Sequence, residues 1–340
     1  MNSLFGKTLD ELQEICLYTG LPKFAAKQIA DWIYAKGVTE IDQMTNLSLK
    51  ARESLKKEYN IGRSLPVDCQ TSIDGTKKYL FHYQNNDFVE AVFIPEDERA
   101  TLCVSTQVGC KMNCSFCATG KQGFTRNLSS LEIVNMVRSL PEYEKLTNIV
   151  YMGMGEPFDN YYNVMKSLEV LTSSWGLAMS PRRITVSTVG LHERTIEFLR
   201  DSNCHLALSL HNPFHSERAR IMPVENSNYL EEIIEEIKQY DWKGQRRVSF
   251  EYILWKGLND TPVHSRGLVK LLRGLECRVN LIRFHTIPDT LFQTADEETM
   301  IRFRDSLNEQ GIICTIRSSR GEDILAACGL LSTKHLKGEE

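Results

Sequence analysis

Three cysteines stand close together in the middle of the chain and could bind metal. Cys110, Cys114 and Cys117 follow the spacing C-x3-C-x2-C on one short segment. Three thiolates on one loop can hold three irons of a 4Fe–4S cluster and leave the fourth iron open to another ligand. Structural zinc usually takes four ligands from paired C-x2-C motifs, and no partner pair exists here. The spacing therefore favours a 4Fe–4S cluster, with a zinc site or unbound structural thiols as the alternatives.

A second group of chemically useful residues follows apolar segments further along the chain. Gly155 and Glu156 end the apolar segment 148–152, where glycine allows close backbone approach and a carboxylate can accept hydrogen bonds from an ammonium group. Polar residues also stand at the ends of three later apolar segments, and these residues, with the neighbouring leucine, are Ser187, Ser209, Leu210, His211 and His285. Each alone could be a capped loop residue. At the carboxyl ends of parallel barrel strands they would form one ligand site.

The elements that must position these residues are short apolar strands that alternate with amphipathic helices from about residue 101 onward. The pattern predicts strands at 102–108, 148–152, 183–188, 205–210, 248–254, 279–284 and 312–316. It predicts helices at 129–140, 161–171, 192–200, 229–240, 263–272 and 297–308. Repeated βα units require right-handed crossovers and a mostly parallel sheet. We therefore predict an α/β fold with a barrel or partial barrel.

The first part of the chain has a different pattern. Between Leu9 and Tyr59 the apolar residues recur at helical spacing, which predicts a small helical domain. Segments 78–83 and 88–94, separated by the polar turn 84–87, alternate like an antiparallel β-hairpin. We predict an N-terminal helical accessory domain at 1–70, a connecting hairpin at 71–97, and the barrel at 98–340 with a C-terminal segment that carries Cys328.

Composition limits the setting and the partners. The 340 residues carry a net charge of −4, so any nucleic-acid site must be a local basic patch. No apolar run is long enough to span a bilayer, and the N-terminus lacks a signal-peptide pattern. We therefore expect a cytoplasmic monomer with no membrane partner, whose cysteines are mostly reduced or bound to metal.

Several stretches read together resemble the RlmN/Cfr family of radical S-adenosylmethionine RNA methyltransferases. These stretches are 116–124, 126–128, 152–157, 180–183 and 326–329. Segment 122–124 is more similar to the adenine-C2 branch, RlmN, than to the Cfr branch, which modifies adenine C8. The resemblance implies a radical SAM partial (β/α)6-type barrel with one 4Fe–4S cluster held by the three cysteines. It also implies that the open iron chelates S-adenosylmethionine, whose reductive cleavage yields a 5′-deoxyadenosyl radical.

The resemblance also implies roles for individual residues. Cys328 would carry a methyl group as S-methylcysteine, Cys103 would release the product through a transient Cys103–Cys328 disulfide, and Glu90 would accept the C2 proton. The cofactor contacts would be Gly155, Glu156, Ser187, Ser209, Leu210, His211 and His285, although relatives usually have Asn where this chain has His285. Without the resemblance, Cys328 and Cys103 would be interpreted as buried core residues. Glu90 would then occupy the solvent face of the hairpin.

The implied partners are RNAs and an electron donor. The resemblance implies 23S ribosomal RNA, at an adenine of the peptidyl transferase centre, and tRNA, at the adenine after the anticodon, with an electron donor such as flavodoxin or ferredoxin. Candidate phosphate contacts are Lys121, Arg126, Arg182, Arg183, Arg246 and Arg247, with solvated surface an equal interpretation. Two alternatives stay open, which are adenine-C8 methylation and a noncatalytic metal-containing protein that binds RNA or transfers electrons.

Overall fold

One large sheet runs through the chain in this computed structural model, which describes residues 1–83, 85, 87–242, 247–287 and 290–333. The described strands are β1 (Asn2–Ser3), β2 (Tyr59–Asn60), β3 (Asp68–Thr71), β4 (Lys77–His82), β5 (Phe88–Pro95), β6 (Ala100–Cys103), β7 (Gln107–Gly109), β8 (Phe124–Asn127), β9 (Asn148–Tyr151), β10 (Ile184–Thr188), β11 (His205–Ser209), β12 (Val248–Leu254), β13 (Cys277–Arg283) and β14 (Ile313–Ile316). Ten of these strands form the large sheet, in the order β14-β13-β12-β11-β10-β9-β6-β5-β4-β3. The two outermost strands do not pair with each other among the described residues, so the sheet is an open, partial barrel.

Helices cover the crossovers between the parallel strands of this sheet. The α-helices of the described residues are α1 (Leu9–Tyr18), α2 (Ala25–Ala30), α3 (Leu49–Lys56), α4 (Ala118–Gln122), α5 (Ser130–Arg138), α6 (Tyr161–Thr172), α7 (His192–Asp201), α8 (His215–Ile221), α9 (Leu230–Gln239), α10 (Pro262–Leu272) and α11 (Glu297–Glu309). Strands β6 and β9 to β14 run parallel to one another, and a helical crossover precedes each strand from β9 onward. This arrangement confirms the predicted α/β partial barrel. No helix of the described residues combines the length and the apolar character that a bilayer crossing needs.

The first barrel strand is shorter than the sequence predicts. The single strand predicted at 102–108 is wrong, because the chain leaves the large sheet after β6 and then forms β7, which pairs with β8 instead. Ser105 and Thr106 explain the break. The Ser105 hydroxyl donates a hydrogen bond of 2.6 Å to the carbonyl of Glu90, and the Thr106 amide donates one of 2.8 Å to the carbonyl of Met154. These bonds turn the chain toward the end of β9.

An antiparallel extension joins the first barrel strand. Strands β4 and β5 are the two arms of the predicted hairpin, and β5 pairs with β6. Strand β3 adds a third antiparallel strand, which the sequence pattern did not predict. Within the predicted turn, residues 84 and 86 lie outside the described residues. Because β5 pairs with β6, the antiparallel extension continues the barrel sheet directly.

The N-terminal helices pack against the barrel helices α5 and α6. Their apolar core includes Val134 of α5 and Val170 of α6, both fully buried. Helix α1 begins at a capping box, in which the Thr8 hydroxyl accepts a hydrogen bond from the Glu11 amide and the Glu11 carboxylate accepts one from the Thr8 amide. The same carboxylate pairs with Lys166 of α6 at 2.5 Å. Apolar packing and this ion pair hold the helical region on the outside of the barrel.

Candidate active site

A cavity of about 150 Å³ lies at the carboxyl ends of the parallel strands, and we call it the strand-end cavity. Its walls bring together most of the predicted cofactor contacts, which are Gly155, Glu156, Ser187, Ser209 and His211. Leu210 does not line the cavity; its side chain is fully buried, and its backbone amide bonds to the carbonyl of Glu251 at 3.0 Å. His285 also lies elsewhere, in a second cavity.

The three cysteines of the C-x3-C-x2-C motif line the same cavity. Burial raises the pKa of the Cys110 thiol to about 12 and raises that of Cys114 well above its usual value, and neighbouring thiols add to both effects. Two thiols of such high pKa are groups that a bound metal would stabilise as thiolates.

The donor set fits an iron–sulfur cluster better than a single ion. The described residues contain no group of three or more His, Cys, Asp or Glu side chains that could hold one metal ion. The three thiols of Cys110, Cys114 and Cys117 instead line one cavity. Three thiolates without a fourth protein ligand are the donors of a 4Fe–4S cluster with an open iron, whereas structural zinc closes its shell with four ligands. These three cysteines are therefore the residues that would hold the cluster.

Backbone hydrogen bonds fix the loop 110–117, which we call the cysteine loop, in place. The amide of Cys110 donates to the carbonyl of Gly123 at 2.9 Å, and the amide of Ser115 donates to the carbonyl of Ile221 at 3.0 Å. Asn113 has a φ of +50°, a left-handed conformation that a non-glycine residue seldom adopts. The surrounding contacts thus hold a loop whose conformation is locally unfavourable.

The C-terminal segment is attached to helix α4, directly after the cysteine loop. The amide of Ala118 donates to the carbonyl of Gly329 at 2.8 Å, and the Thr119 hydroxyl donates to the carbonyl of Leu331 at 2.6 Å. The side-chain oxygen of Gln122 accepts a hydrogen bond of 2.9 Å from the amide of Thr333. These bonds place Cys328 on the wall of the strand-end cavity.

Glu156 is a buried carboxylate on the cavity wall, with 3% of its surface exposed. Its Oε1 accepts hydrogen bonds from the Thr188 hydroxyl at 2.6 Å and the Phe158 amide at 3.0 Å, and its Oε2 accepts one from the Val189 amide at 2.9 Å. Burial raises the pKa of Glu156 to about 7, although these three hydrogen bonds act in the opposite direction. The carboxylate is therefore fixed in direction and poised to ionise near neutral pH.

Gly153 and Gly155, close to Glu156 in sequence, have no room for a side chain because neighbouring protein atoms occupy the space. A Cβ at Gly153 would lie 2.6 Å from Ser105 Oγ, and one at Gly155 would lie 2.5 Å from Gln107 Cβ. Gly155 also has a φ of +96°, which only glycine adopts without strain. The loop that follows β6 is thus the close neighbour of Gly153, and the first residue of β7 is the close neighbour of Gly155.

Sequence reasoning missed two residues that position Glu156. Thr188 bonds its carboxylate, and the Gln107 side-chain oxygen accepts a hydrogen bond of 2.9 Å from its amide. Gln107 could have been noticed as a long polar side chain within the apolar segment 102–108, which was interpreted as one strand. Thr188 directly follows Ser187, the residue that was predicted at that strand end.

His211 contributes a neutral imidazole to the cavity. Its Nδ1 accepts a hydrogen bond of 3.0 Å from the amide of Ile253, so the proton of the neutral ring is on Nε2. Burial, aided by the nearby Arg218 guanidinium, lowers the pKa of His211 to about 3. The ring is therefore a hydrogen-bond donor of fixed tautomer at physiological pH.

Arg218 of α8 was also missed, and it joins several parts of the site. The side chain is 1% exposed and pairs with the buried carboxylate of Glu225. Its guanidinium donates to the carbonyls of Val189 and Ser209 at 2.8 Å and of Leu210 at 3.0 Å. One buried cation thus holds the ends of β10 and β11 together beside the strand-end cavity.

A second cavity of about 440 Å³ shares several walls with the first, and we call it the arginine-lined cavity. Cys328 lines both cavities, and Cys103 and His285 line the second. Both Cys103 and Cys328 are free thiols; Cys103 is buried, whereas Cys328 is exposed, so the interpretation of Cys328 as a buried core residue is wrong. Burial raises the pKa of Cys103 to about 12, and desolvation by the surrounding protein also raises that of Cys328, while the Arg317 guanidinium acts in the opposite direction on both.

His285 faces its own set of partners in the arginine-lined cavity. Its Nε2 lies 3.1 Å from the Ser319 hydroxyl, and its Nδ1 lies 3.6 Å from the Glu322 carboxylate. Burial lowers the pKa of His285, although Glu322 acts in the opposite direction. His285 therefore lines the cavity that the two thiols also line and is absent from the walls of the strand-end cavity.

Glu90 is buried in β5, with 2% of its surface exposed, so the interpretation that it occupies a solvent face is wrong. Its carboxylate pairs with Lys78 at 3.0 Å and accepts a hydrogen bond of 3.0 Å from the Ser332 amide. Residues opposite each other in a sheet share a face. Val92 is opposite Cys103, and Glu90 lies two residues before Val92, so Glu90 is on the face that carries Cys103.

The basic residues predicted from sequence differ in their surroundings. Arg126 is engaged in ion pairs with Asp87 at 2.7 Å and Glu132 at 2.8 Å. The exposed members of the set are Lys121, Arg182, Arg183 and Arg247. Lys121 belongs to α4, and Arg246 lies outside the described residues.

Comparisons with known proteins agree along the whole chain. A model of the radical SAM superfamily matches residues 104–265, and a model of the ribosomal RNA large subunit methyltransferase N-terminal domain matches residues 2–61. A probable dual-specificity RNA methyltransferase RlmN from Phocaeicola vulgatus is 57% identical, with 99% of this chain and 97% of the relative covered. The dual-specificity RNA methyltransferase RlmN from Syntrophus aciditrophicus is 42% identical, with 97% and 96% covered.

A solved structure agrees with these sequence matches. The crystal structure of a radical SAM methyltransferase from Sphaerobacter thermophilus superposes with a TM-score of 0.90 at 39% identity, and covers 97% of this chain and 99% of that one. A partial barrel with three cysteines at its strand-end cavity defines the class of radical SAM enzymes, which use a 4Fe–4S cluster and S-adenosylmethionine. Within that class, this chain belongs to the RlmN family of RNA methyltransferases.

Proposed function

We propose that this enzyme methylates C2 of an adenine in RNA, with Cys328 as the methyl carrier and Cys103 as the thiol that releases the product. The observation that carries the proposal is the position of Cys328, which lines both cavities. A methyl group received on the cofactor side can therefore reach a base on the other side without a long movement of the chain.

The strand-end cavity suits S-adenosylmethionine. Cys110, Cys114 and Cys117 would hold the cluster, which supplies the electron that cleaves the sulfonium when it is bound and reduced. Glu156, an acceptor fixed by three hydrogen bonds, would bind the cationic amino group. His211 offers one fixed donor to the same ligand. Ser187 and Ser209 line the cavity and would complete the set of polar contacts.

The two thiols suit transfer and release. The Cys328 thiolate would take a methyl group from the sulfonium of one cofactor molecule. The radical supplied by a second cofactor molecule would remove one hydrogen atom from that methyl group, and the resulting S-methylene carbon would add to adenine C2. The adduct would return one electron to the cluster and lose the C2 proton, after which the Cys103 thiolate would attack the Cys328 sulfur. An S–S bond then forms as the C–S bond breaks, and the electron pair of that bond stays with the carbon, which takes up a proton.

The proposed steps also need a base and a reductant. Glu90, on the face that carries Cys103, would accept the proton from C2. The Cys103–Cys328 disulfide must be reduced by an external dithiol before the next turnover. The proposed substrates are 23S ribosomal RNA and tRNA, which agrees with the dual specificity named for the relatives.

The test is to identify the product nucleoside. Anaerobically reconstituted enzyme is incubated with S-adenosylmethionine, a reductant and each RNA, and the digested RNA is compared by mass spectrometry with synthetic 2-methyladenosine and 8-methyladenosine. RNA in which guanine replaces the target adenine is the matched control. The expected product is 2-methyladenosine in both RNAs and none in the control. 8-Methyladenosine would contradict the proposed position, and an absence of cofactor cleavage by reduced protein would indicate a noncatalytic protein.

A further inference from the structure

The two cavities that meet at Cys328 differ in charge. The charged residues that line the arginine-lined cavity are Arg99, Arg278, Arg283, Arg317, Arg320 and Glu96. Among the described residues, the strand-end cavity is lined instead by the carboxylates Glu156 and Glu251 and by no Lys or Arg. Opposite lining charges favour ligands of opposite charge. The arginine-lined cavity is therefore suited to a polyanion, and the strand-end cavity to a cationic ligand.

Two of the five arginines are distinguished by their lack of a carboxylate partner. Three form ion pairs, which are Arg99 with Glu96 at 4.0 Å, Arg283 with Glu297 at 2.5 Å, and Arg317 with Glu251 at 3.4 Å. Arg278 and Arg320 form no ion pair with any residue that the structure describes. Moreover, Nε of Arg320 is buried and has no hydrogen-bond partner there. A buried donor without an acceptor is unfavourable, so this atom is available to donate to a ligand that supplies an acceptor.

The two arginines belong to separate parts of the cavity wall. Arg278 is on β13, and Arg320 is on the loop that follows β14. That loop is anchored to the turn between β3 and β4, where the amide of Gly321 donates to the Asp74 carboxylate at 3.0 Å. A volume of about 440 Å³ is within the range of pockets that hold a small molecule, and one nucleotide is of that size.

We propose that Arg278 and Arg320 bind phosphates of the RNA backbone next to the target adenosine and so direct its base toward Cys328. Guanidinium groups make charge-assisted, often bidentate hydrogen bonds to phosphate oxygens, and such contacts set the register of a nucleic acid without reading its sequence. The inference rests on the proposed function, because it assumes that the adenosine approaches Cys328 from this cavity. It assigns RNA contacts to residues outside the basic set predicted from the sequence.

The experiment compares Arg278→Gln and Arg320→Gln with Arg302→Gln in the reconstituted enzyme. Arg302 is an exposed arginine of α11 that pairs with Glu298 at 2.6 Å, so its removal changes net charge equally but outside the cavity. Binding of fluorescently labelled tRNA is measured by anisotropy over a range of salt concentrations. We expect each cavity variant to bind about tenfold more weakly, as for loss of a charge-assisted hydrogen bond. The slope of log Kd against log salt should fall by roughly 0.7 to 0.9 per lost phosphate contact.

Methylation of Cys328 in the absence of RNA is the internal control. Intact-protein mass spectrometry should find it unchanged in both cavity variants, which would show that the fold and the strand-end cavity are preserved. Binding equal to that of Arg302→Gln, or weaker binding with an unchanged salt slope, would overturn the phosphate contacts. Failure of the proposed function is recognised separately, because the wild-type enzyme would then form no 2-methyladenosine, whatever the variants bind.

Discussion

The strand-end cavity and the arginine-lined cavity share Cys328 but differ in the burial and hydrogen bonding of their charged side chains. In the strand-end cavity, Glu156 is almost fully buried, and both of its carboxylate oxygens accept hydrogen bonds. In the arginine-lined cavity, Arg278 is exposed and Nε of Arg320 has no partner among the described residues. A small ligand that is enclosed can be bound by preorganised contacts, whereas a long polyanion must be met at an open surface.

Substitutions in the two cavities should therefore differ in the size of their effects. Changes in the strand-end cavity remove groups that many neighbours depend on, so they affect folding or cofactor binding as a whole. Changes in the arginine-lined cavity remove one contact among several to a large ligand.

The largest effect is expected for Cys114→Ala. Three ligands leave no redundancy, so anaerobic reconstitution should yield no 4Fe–4S cluster and no cofactor cleavage. Iron and sulfide analysis with electron paramagnetic resonance would measure this. Cys69→Ala is the matched control, because Cys69 is an exposed cysteine of β3 outside the cavity, and it should retain the cluster. Wild-type protein that binds zinc at full occupancy and is equally active would contradict the prediction.

A smaller but still large effect is expected for Arg218→Met. Removal of one partner from a buried ion pair typically costs about 3 to 5 kcal/mol, because the other charge stays buried and unpaired. The free energy of unfolding, measured by urea denaturation, should fall by about that amount. Arg220→Met, at an exposed position of the same helix, should change it by less than about 0.5 kcal/mol. Similar losses in both variants would mean that α8 responds to any change of charge.

Much of the arrangement around these residues was predictable from sequence, and the rest was not, for a physical reason. Strands such as β12 were found because each has its own local apolar pattern, and the three cysteines were found because their spacing is local. Gln107 and Glu156 are far apart in sequence, so their hydrogen bond depends on a fold that the local pattern does not contain. The same holds for the position of Cys328 between two cavities.

A pH effect of intermediate size is expected at Glu156, whose pKa burial raises to about 7. Because a carboxylate binds an ammonium group only when it is ionised, affinity for S-adenosylmethionine should rise with pH up to about 7 and then level off, with a change of about tenfold per pH unit below that value. The stability of the ligand-free protein should move in the opposite direction. The contribution of the raised pKa is fully present below the ordinary value of 4.5 and is lost as pH rises through about 7.

Calorimetry on either side of that pH would measure both trends. Glu156→Gln should weaken cofactor binding and flatten the pH dependence of affinity and of stability, because the amide does not ionise in this range. If the variant kept the pH dependence of the wild type, another group would be responsible for it.

The smallest effect is expected for His285→Asn. An asparagine amide can replace the single hydrogen bond that His285 Nε2 makes with Ser319, so turnover should change by about twofold or less. Steady-state rates of RNA methylation would measure this. A severe loss would show that the imidazole has a role beyond that contact, among the residues that surround the two thiols.

The central claim, that Cys328 carries the methyl group and Cys103 releases the product, is tested most directly by trapping RNA on the protein. Cys103→Ala should form the bond between the methyl carbon and the base but lack the thiol that attacks Cys328, so RNA should accumulate covalently on Cys328. Cys328→Ala should form neither methylated protein nor this complex. Denaturing electrophoresis of turnover mixtures, with nuclease digestion and peptide mapping of any shifted band, gives the answer. A shifted band is expected only for Cys103→Ala, and release of methylated RNA at the normal rate by that variant would contradict the roles proposed for the two cysteines.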